Sequence, residues 1–362
     1  MRDKVLVAMS GGVDSSVALL KIAEMGYDAI GVTMKLWEYR DVGGNLLDDS
    51  NCCSVGAINN AKLVCDRMNV PHYTLDFTEV FKKTVVENFS EEYLAGRTPN
   101  PCVRCNSYVK WDAFIEKADQ LGAKYIATGH YAKVKHQNNI SILQKGKDPL
   151  KDQAYVLWGI PANTLSRTIF PLGDLTKDEV RQIARDNNLE TANIPESMEI
   201  CFVADNNYKR FLKEYKPDKV SKINKGDIID QDGKKIGEHN GYINYTIGQR
   251  KGLGISSPEP NYVSNINPKS NKITVGKKQD LEGNSCLVTN PNWLIPNIKF
   301  PLNIHAQIRY NSKAVEAKII KHNQSIIIQF QKPQIAITPG QSIVFYDKNN
   351  VIGGAIIEKN IH

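Results

Sequence analysis

The sequence predicts an α/β protein: a parallel sheet with crossover helices over residues 1–205, a small central domain over 206–280 and a C-terminal β-barrel over 281–362. Three observations carry this reading. Apolar runs alternate with helical periods through the first third of the chain, as a parallel sheet requires, because each strand must be joined to the next by a crossover. A string rich in Gly and Ser sits where the first strand should end. Beyond residue 281 the pattern changes to short alternating segments broken by Pro and Gly, which suits a small barrel.

In chain order, KVLVAM reads as a buried strand, VDSSVALLKIAEMG as a helix and AIGVTMKLW as a second strand. Between Gly56 and Asn69, residues Ala57, Ala61, Val64, Cys65 and Met68 recur at helical spacing, which makes Cys65 a packing residue. HYTLDF follows as a strand, and WDAFIEKADQLG then YIATGH repeats the step from helix to strand. Thr176 and Glu179 have capping-box spacing ahead of Val180, Ile183 and Ala184, so a helix should start there. NNYKRFLKEY is helical in pattern, and Asp232-Gly233 marks a hairpin. PLNIHAQIRY, AVEAKII, SIIIQF and SIVFYD supply the expected barrel strands, with Cys286 as packing.

A chain of 362 residues exceeds the usual single core, which agrees with two or three domains. Its 41% hydrophobic and 23% charged residues exclude a disordered or fibrous protein. The apolar run after MRDK is too short for a signal core or a membrane span, so a cytoplasmic protein without membrane attachment is expected. Seven cysteines form an odd, scattered set, which argues against a disulfide scaffold and for free thiols, a metal or redox chemistry. Adjacent Cys52 and Cys53 read as incidental loop residues. The net charge is +7; residues 281–362 hold 8 Lys/Arg against 4 Asp/Glu, 8 − 4 = +4, which suits a polyanion without establishing one.

Ser10-Gly11-Gly12-Val13-Asp14-Ser15-Ser16 lies between a buried strand and a helix, where backbone N–H groups and the helix N-terminus face an anion. Two glycines let the backbone approach closely, the serines donate, and an acid beside phosphate makes sense with Mg²⁺ between them. Neither the dinucleotide pattern nor the kinase-type phosphate loop is present, so dinucleotide binding and ordinary phosphoryl transfer are disfavoured. SGGVDSS resembles the pyrophosphate loop of the ATP pyrophosphatase superfamily, whose members cleave ATP between the α and β phosphates to adenylate a substrate.

Gly96-Arg97-Thr98-Pro99-Asn100-Pro101-Cys102-Val103-Arg104-Cys105-Asn106 reads as a rigid loop because of its two prolines, and Cys201 stands apart in EICFV. Paired thiols near an ATP site suggest sulfur chemistry, since a thiolate is both nucleophile and metal ligand.

The ordered set AMSGGVDSS, GRTPNP with CN, ATGHYA, KDQAY, EICFV, TIGQRKGLGI and TPGQSIVFY spans residues 8–346 and resembles the tRNA-specific 2-thiouridylase family. The resemblance implies a nucleotide-binding α/β domain, a central domain, a barrel that binds tRNA, and conversion of the wobble uridine (position 34) to 2-thiouridine. It also implies ATP contacts at Ala8, Met9, Ser10, Gly11, Gly12, Val13, Asp14, Ser15, Met34 and Gly129, a nucleophile at Cys105 and a persulfide at Cys201, with a Cys105–Cys201 redox disulfide. Asn100 and Pro101 match the segment near the target base, and His130, Lys151, Asp152, Gln153, Arg309, Tyr310 and Gln341 match tRNA contacts. An external sulfur donor or relay protein, fed by a cysteine desulfurase, is implied as partner, and a monomer is expected.

Many family members carry Asp where this chain has Cys102. Cys102, Cys105 and Cys201 therefore admit a second reading, as three ligands of a [4Fe-4S] cluster with one open iron. Two other functions compete: an amidotransferase-type synthetase adenylating a small molecule, which would leave the cysteines unused, and a non-enzymatic zinc and RNA-binding module, which would leave SGGVDSS unexplained.

Overall fold

A computed structural model describes residues 2–37, 55–195, 200–203 and 205–361; Cys52 and Cys53 lie outside them. The chain packs as two compact units: residues 1–86, 102–207 and 349–352 in one, and 87–101, 208–348 and 353–362 in the other.

The first unit holds strands β1 Lys4–Ala8, β2 Asp28–Lys35, β3 His72–Asp76, β4 Tyr125–Ala127, β5 Ala132–Gln137, β6 Ile140–Lys145 and β7 Thr168–Ile169. Five of them form one parallel sheet in the order β3-β2-β1-β4-β7. Chain order reverses at β1, between β2 and β4, and ligands of open α/β sheets bind outside the carboxyl ends of strands at such a point. The expected strands and crossovers are there. Val5, Leu6 and Val7 have no exposed surface, as a central parallel strand covered on both faces requires.

Helix Val13–Glu24 packs Val17, Ala18, Leu19 and Ile22 into the core beside Val64 and Cys65 of helix Val55–Arg67. Cys65 is fully buried, and burial pushes its thiol up to about 12. Helix Lys177–Asp186 begins on the expected capping box: Thr176 accepts from the Glu179 amide at 3.3 Å, and Glu179 accepts from the Thr176 amide at 2.6 Å.

Residues 101–113 correct one expectation. The expected rigid loop over residues 96–106 ends at Asn100: Pro101–Arg104 is helical and continues as a wide π-type helix over Cys105–Ala113. Pro101 occupies the first turn, where its missing N–H costs nothing, and Val103, Val109 and Trp111 supply a buried face that stabilises the helix. Cys102 is exposed on it and Cys105 is buried.

The second unit contains a four-stranded sheet of β8 Gly226–Ile229, β9 Lys235–His239, β10 Tyr262–Asn267 and β11 Lys272–Gly276, in the order β10-β11-β8-β9. The β8–β9 hairpin turns at the expected Asp232-Gly233, where Gly233 adopts φ +83°. Ile228, Val263, Ile273 and Val275 are its buried core.

Strands β12 Glu282–Trp293, β13 Leu302–Gln307, β14 Val315–His322, β15 Ser325–Ile335, β16 Ser342–Asp347 and β17 Asn350–Ile361 run in the order β12-β15-β14-β13-β16-β17. Pairing of β12 with β17 closes the six strands into a barrel, which leaves no free edge. Cys286 is fully buried on β12, with its thiol raised to about 12 by that burial.

Candidate active site

The phosphate loop leaves β1 at Ala8, where the Met9 amide donates to the Val32 carbonyl at 2.8 Å and extends the sheet by one residue. Gly11 then takes φ +75°, and any Cβ there would collide with the backbone of Ala57. Gly12, the residue preceding helix Val13–Glu24, brings no side chain to cap it. The Ser15 hydroxyl accepts from the Ser10 amide at 3.2 Å and donates to the Gly12 carbonyl at 3.0 Å. The Ser16 hydroxyl also donates to that carbonyl, at 3.0 Å. The serines therefore hold the loop's shape, and among the described residues no side chain caps the helix at Gly12, an end whose first amides suit an anion.

Gly129, just past the end of β4, abuts this loop. A Cβ on it would lie 2.9 Å from the carbonyl carbon of Asp14 and 3.0 Å from the Ser15 amide nitrogen, so only glycine allows the approach. The strand end and the helix start are thus in van der Waals contact at the reversal point of the sheet. Met34 is buried near the carboxyl end of β2.

The structure adds a residue that the sequence reading missed. The Lys177 ammonium stands 2.8 Å from both carboxylate oxygens of Asp14, and the Tyr131 hydroxyl donates to Asp14 Oδ1 at 2.7 Å. Lys177 is placed by its own backbone, whose N–H donates to Asp148 Oδ2 at 3.0 Å in the first turn of its helix. A signal existed: TKDE is a helix start, so any lysine in its first turn sits beside whatever that end faces. What the chain pattern could not give was that this end meets Asp14, 163 residues earlier.

His130 follows Gly129 and is 8% exposed. Its Nδ1 is 2.7 Å from the Thr128 hydroxyl, and its ring meets Trp111 and Phe170 at centroid distances of 5.8 and 6.2 Å. Burial, with Lys110 nearby, holds its pKa well below the usual histidine range, so the ring is neutral. Asp152 and Gln153 are engaged within the fold: Asp152 accepts from the Gly146 and Ala154 amides at 2.9 and 3.2 Å, and Gln153 accepts from the Tyr131 amide at 3.0 Å. Burial raises the Asp152 carboxyl pKa despite those two amides. Lys151 turns the chain there, its amide donating to the Asp148 carbonyl at 3.2 Å.

Cys105 is 8% exposed and Cys201 is half-buried, both in the first unit. Phe202 anchors the second of them, meeting Phe81 edge-on at 5.6 Å. Nothing among the described residues supports the cluster reading. Among the described residues no group of three or more His, Cys, Asp or Glu could hold a metal ion, and Cys102, Cys105 and Cys201 are all described.

In the second unit, the Gln341 amide donates to the carbonyls of Thr98 and Pro99 at 3.0 and 3.1 Å, just before Asn100 and Pro101. Arg309 and Tyr310 are exposed beyond the end of β13, on a turn fixed by Gln307, whose amide donates to both of their carbonyls. A surface groove at the other end of β4, lined by Asp119, Lys124, Tyr125 and Arg167, is remote from the loop. Its cations are already paired, Arg167 with Asp119 at 2.6 Å and Lys124 with Asp3 at 2.8 Å.

A parallel sheet whose reversal point carries a glycine-serine loop, an open helix N-terminus and a lysine defines a nucleotide-binding α/β enzyme of the pyrophosphate-loop class. Three family models match the chain: a tRNA methyl transferase HUP domain over residues 3–205, a tRNA methyl transferase PRC-barrel domain over 209–277 and an aminomethyltransferase beta-barrel domain over 284–357. The chain is 46% identical to the tRNA-specific 2-thiouridylase MnmA of Carboxydothermus hydrogenoformans, covering 99% of both chains. It is also 46% identical to that of Natranaerobius thermophilus, covering 99% of this chain and 98% of the other. The chain belongs to the tRNA-specific 2-thiouridylase family. The methyl transferase wording attaches to the domain models; the relatives matched end to end are thiouridylases.

Proposed function

We propose that this chain converts the wobble uridine of tRNA to 2-thiouridine, by adenylating the uracil C2 oxygen and replacing it with sulfur from a Cys201 persulfide. ATP-dependent thiolation of a tRNA uridine is the activity of the family to which it belongs. The observation that carries the reading here is the loop from Ser10 to Ser15, with its open helix end and Gly129 pressed against Asp14.

In this reading the α-phosphate of ATP lies against the first amides of helix Val13–Glu24, with Lys177 beside it as the nearby cation. Mg²⁺ enters with the nucleotide; Asp14 is the carboxylate of the loop, and its hold on Lys177 would be shared with that ion. Attack of the C2 oxygen on the α-phosphate expels pyrophosphate and turns a poor leaving group into AMP. The terminal sulfur of Cys201 persulfide then attacks C2 and AMP departs. Cys105 thiolate next attacks Cys201 Sγ; the bond to the transferred sulfur breaks, leaving thiouridine and a Cys105–Cys201 disulfide that a thiol reductant reopens.

Cys102 is exposed and three residues before Cys105 on the helix, within reach of an external donor that reloads the site. His130, Lys151, Asp152, Gln153, Arg309 and Tyr310 are taken as the tRNA-facing set, and Asn100 and Pro101 as the segment at the base. Among the described residues no helix is long and apolar enough to cross a membrane, and the reading places the enzyme in the cytoplasm, where its tRNA is.

The test is incubation with unmodified tRNA, Mg-ATP, a sulfur donor and a reductant, followed by nucleoside mass spectrometry and AMP assay. Wild type should yield 2-thiouridine and AMP in equal amounts. Cys201→Ala should lose the thionucleoside and keep AMP formation; loss of both to the same extent would refute the division of roles.

A further inference from the structure

Segment 97–99 precedes the residues read as facing the target base, and in the second unit it is held by contacts from three directions. The Thr98 amide donates to the Pro339 carbonyl at 2.9 Å. Both hydrogens of the Gln341 amide are used on Thr98 and Pro99, at 3.0 and 3.1 Å. Two carbonyl acceptors fix which end of that amide is the nitrogen, because only NH₂ can satisfy both. Gly340 packs against the same residues: it has φ +89°, and a Cβ there would lie 2.8 Å from the Thr98 oxygen and 3.1 Å from Arg97 Cβ.

Arg97 completes the arrangement. Its Nε donates to Glu92 at 2.7 Å, one terminal nitrogen to Glu358 at 2.8 Å and the other to the Ile357 carbonyl at 3.3 Å. Its two carboxylates keep the guanidinium pKa above the usual arginine value, although burial opposes this. Glu358 and Ile357 are on β17, and Glu92 is on helix Glu87–Leu94, so one side chain ties the segment to a barrel strand and to a helix. The tie is reinforced where the Gly340 amide donates to the Ile357 carbonyl at 2.9 Å and the Ile357 amide to the Gln341 carbonyl at 2.8 Å.

We propose that Gln341, Gly340 and Arg97 are positioning residues: the turn 338–341 and β17 set the conformation of 97–99, and through it the place of Asn100 and Pro101. Gln341 then acts on the base-facing segment, since both of its donors are used on Thr98 and Pro99. The consequence for function rests on the reading that this segment meets the target uridine. Small displacements of a substrate-positioning segment cost rate far more than affinity.

The experiment uses the full chain with Gln341→Ala and, separately, Gly340→Ala, which keeps the Gln341 amide but pushes the segment away. Hydrogen–deuterium exchange over residues 96–101, the tRNA dissociation constant and single-turnover thiolation are read for each. The proposal expects faster exchange at the Thr98 amide, tRNA affinity within about twofold of wild type, and thiolation slowed by about tenfold or more. Unchanged exchange with tRNA affinity lost would make Gln341 an RNA contact and overturn it. Faster exchange with undiminished thiolation would overturn it as well. Should wild type itself fail to thiolate tRNA, the functional reading fails, while the exchange data still decide whether the clamp exists.

Discussion

The Lys177 ammonium stands 2.8 Å from each carboxylate oxygen of Asp14, and its side chain is 9% exposed against 34% for the carboxylate. A lysine so enclosed is matched by a carboxylate at hydrogen-bond distance, and the pair stands at the mouth of the phosphate loop.

If the two act as a unit, Lys177→Met and Asp14→Asn should each lower AMP formation by about 10- to 100-fold, the worth of a charge-assisted hydrogen bond of about 1.5–3 kcal/mol. The double variant should be hardly worse than either single, as coupled residues are not additive. A product of the two losses in the double variant would show that they act independently.

Gly129→Ala tests the contact between strand end and loop. The added methyl would sit 2.9 Å from the Asp14 carbonyl carbon, against backbone that cannot swing aside. Overpacking of this kind costs about 1–3 kcal/mol. Equilibrium dialysis should find ATP affinity reduced about tenfold or more, with the barrel strands unaffected by circular dichroism.

His130 predicts a pH dependence. Burial lowers its folded pKa well below the value near 6.5 of an exposed histidine, and burial lowers His72 and His239 in the same direction. Above that unfolded value both states are neutral and histidine contributes no slope. As pH falls below it the unfolded chain binds protons that the folded chain does not, so stability declines, by up to about 1.4 kcal/mol per pH unit for each such histidine. Thermal midpoints should therefore fall from pH 7 to pH 5.5, and His130→Phe, which keeps the packing against Trp111 and Phe170, should flatten that slope. An identical slope in the variant would remove His130 as its source.

Thiol reactivity should follow exposure. Cys102 is exposed, whereas Cys65 and Cys286 are buried with thiols pushed up to about 12. Iodoacetamide at pH 7.5 should label Cys102 well ahead of those two, because the thiolate is the reacting form. Peptide mass mapping over time would check the order; early labelling of Cys65 would contradict its place in the core.

Much of this was legible beforehand. KVLVAM and AIGVTMKLW became β1 and β2 because burial on both faces demands unbroken apolar runs. Thr176 and Glu179 capped their helix because a capping box is a local contact, complete within four residues. At 101–105 the pattern misleads because two prolines suggest a helix breaker, whereas Pro101 begins a helix.

The sequence by itself determined the phosphate loop, the parallel sheet, the barrel and the family, because these rest on periodicity and on short motifs whose chemistry is local. Only the tertiary structure decided what those motifs touch. Lys177 meets Asp14 across 163 residues of chain, and Arg97 meets Glu358 across 261. It also decided that residues 87–101 pack with the second unit, through Phe89 against Phe211 and Tyr93 stacked on Tyr208 at 4.5 Å. Such pairings depend on how the elements fold back on one another. A lysine at a helix start and a glutamine after a turn look the same in sequence whether they face solvent, phosphate or another loop.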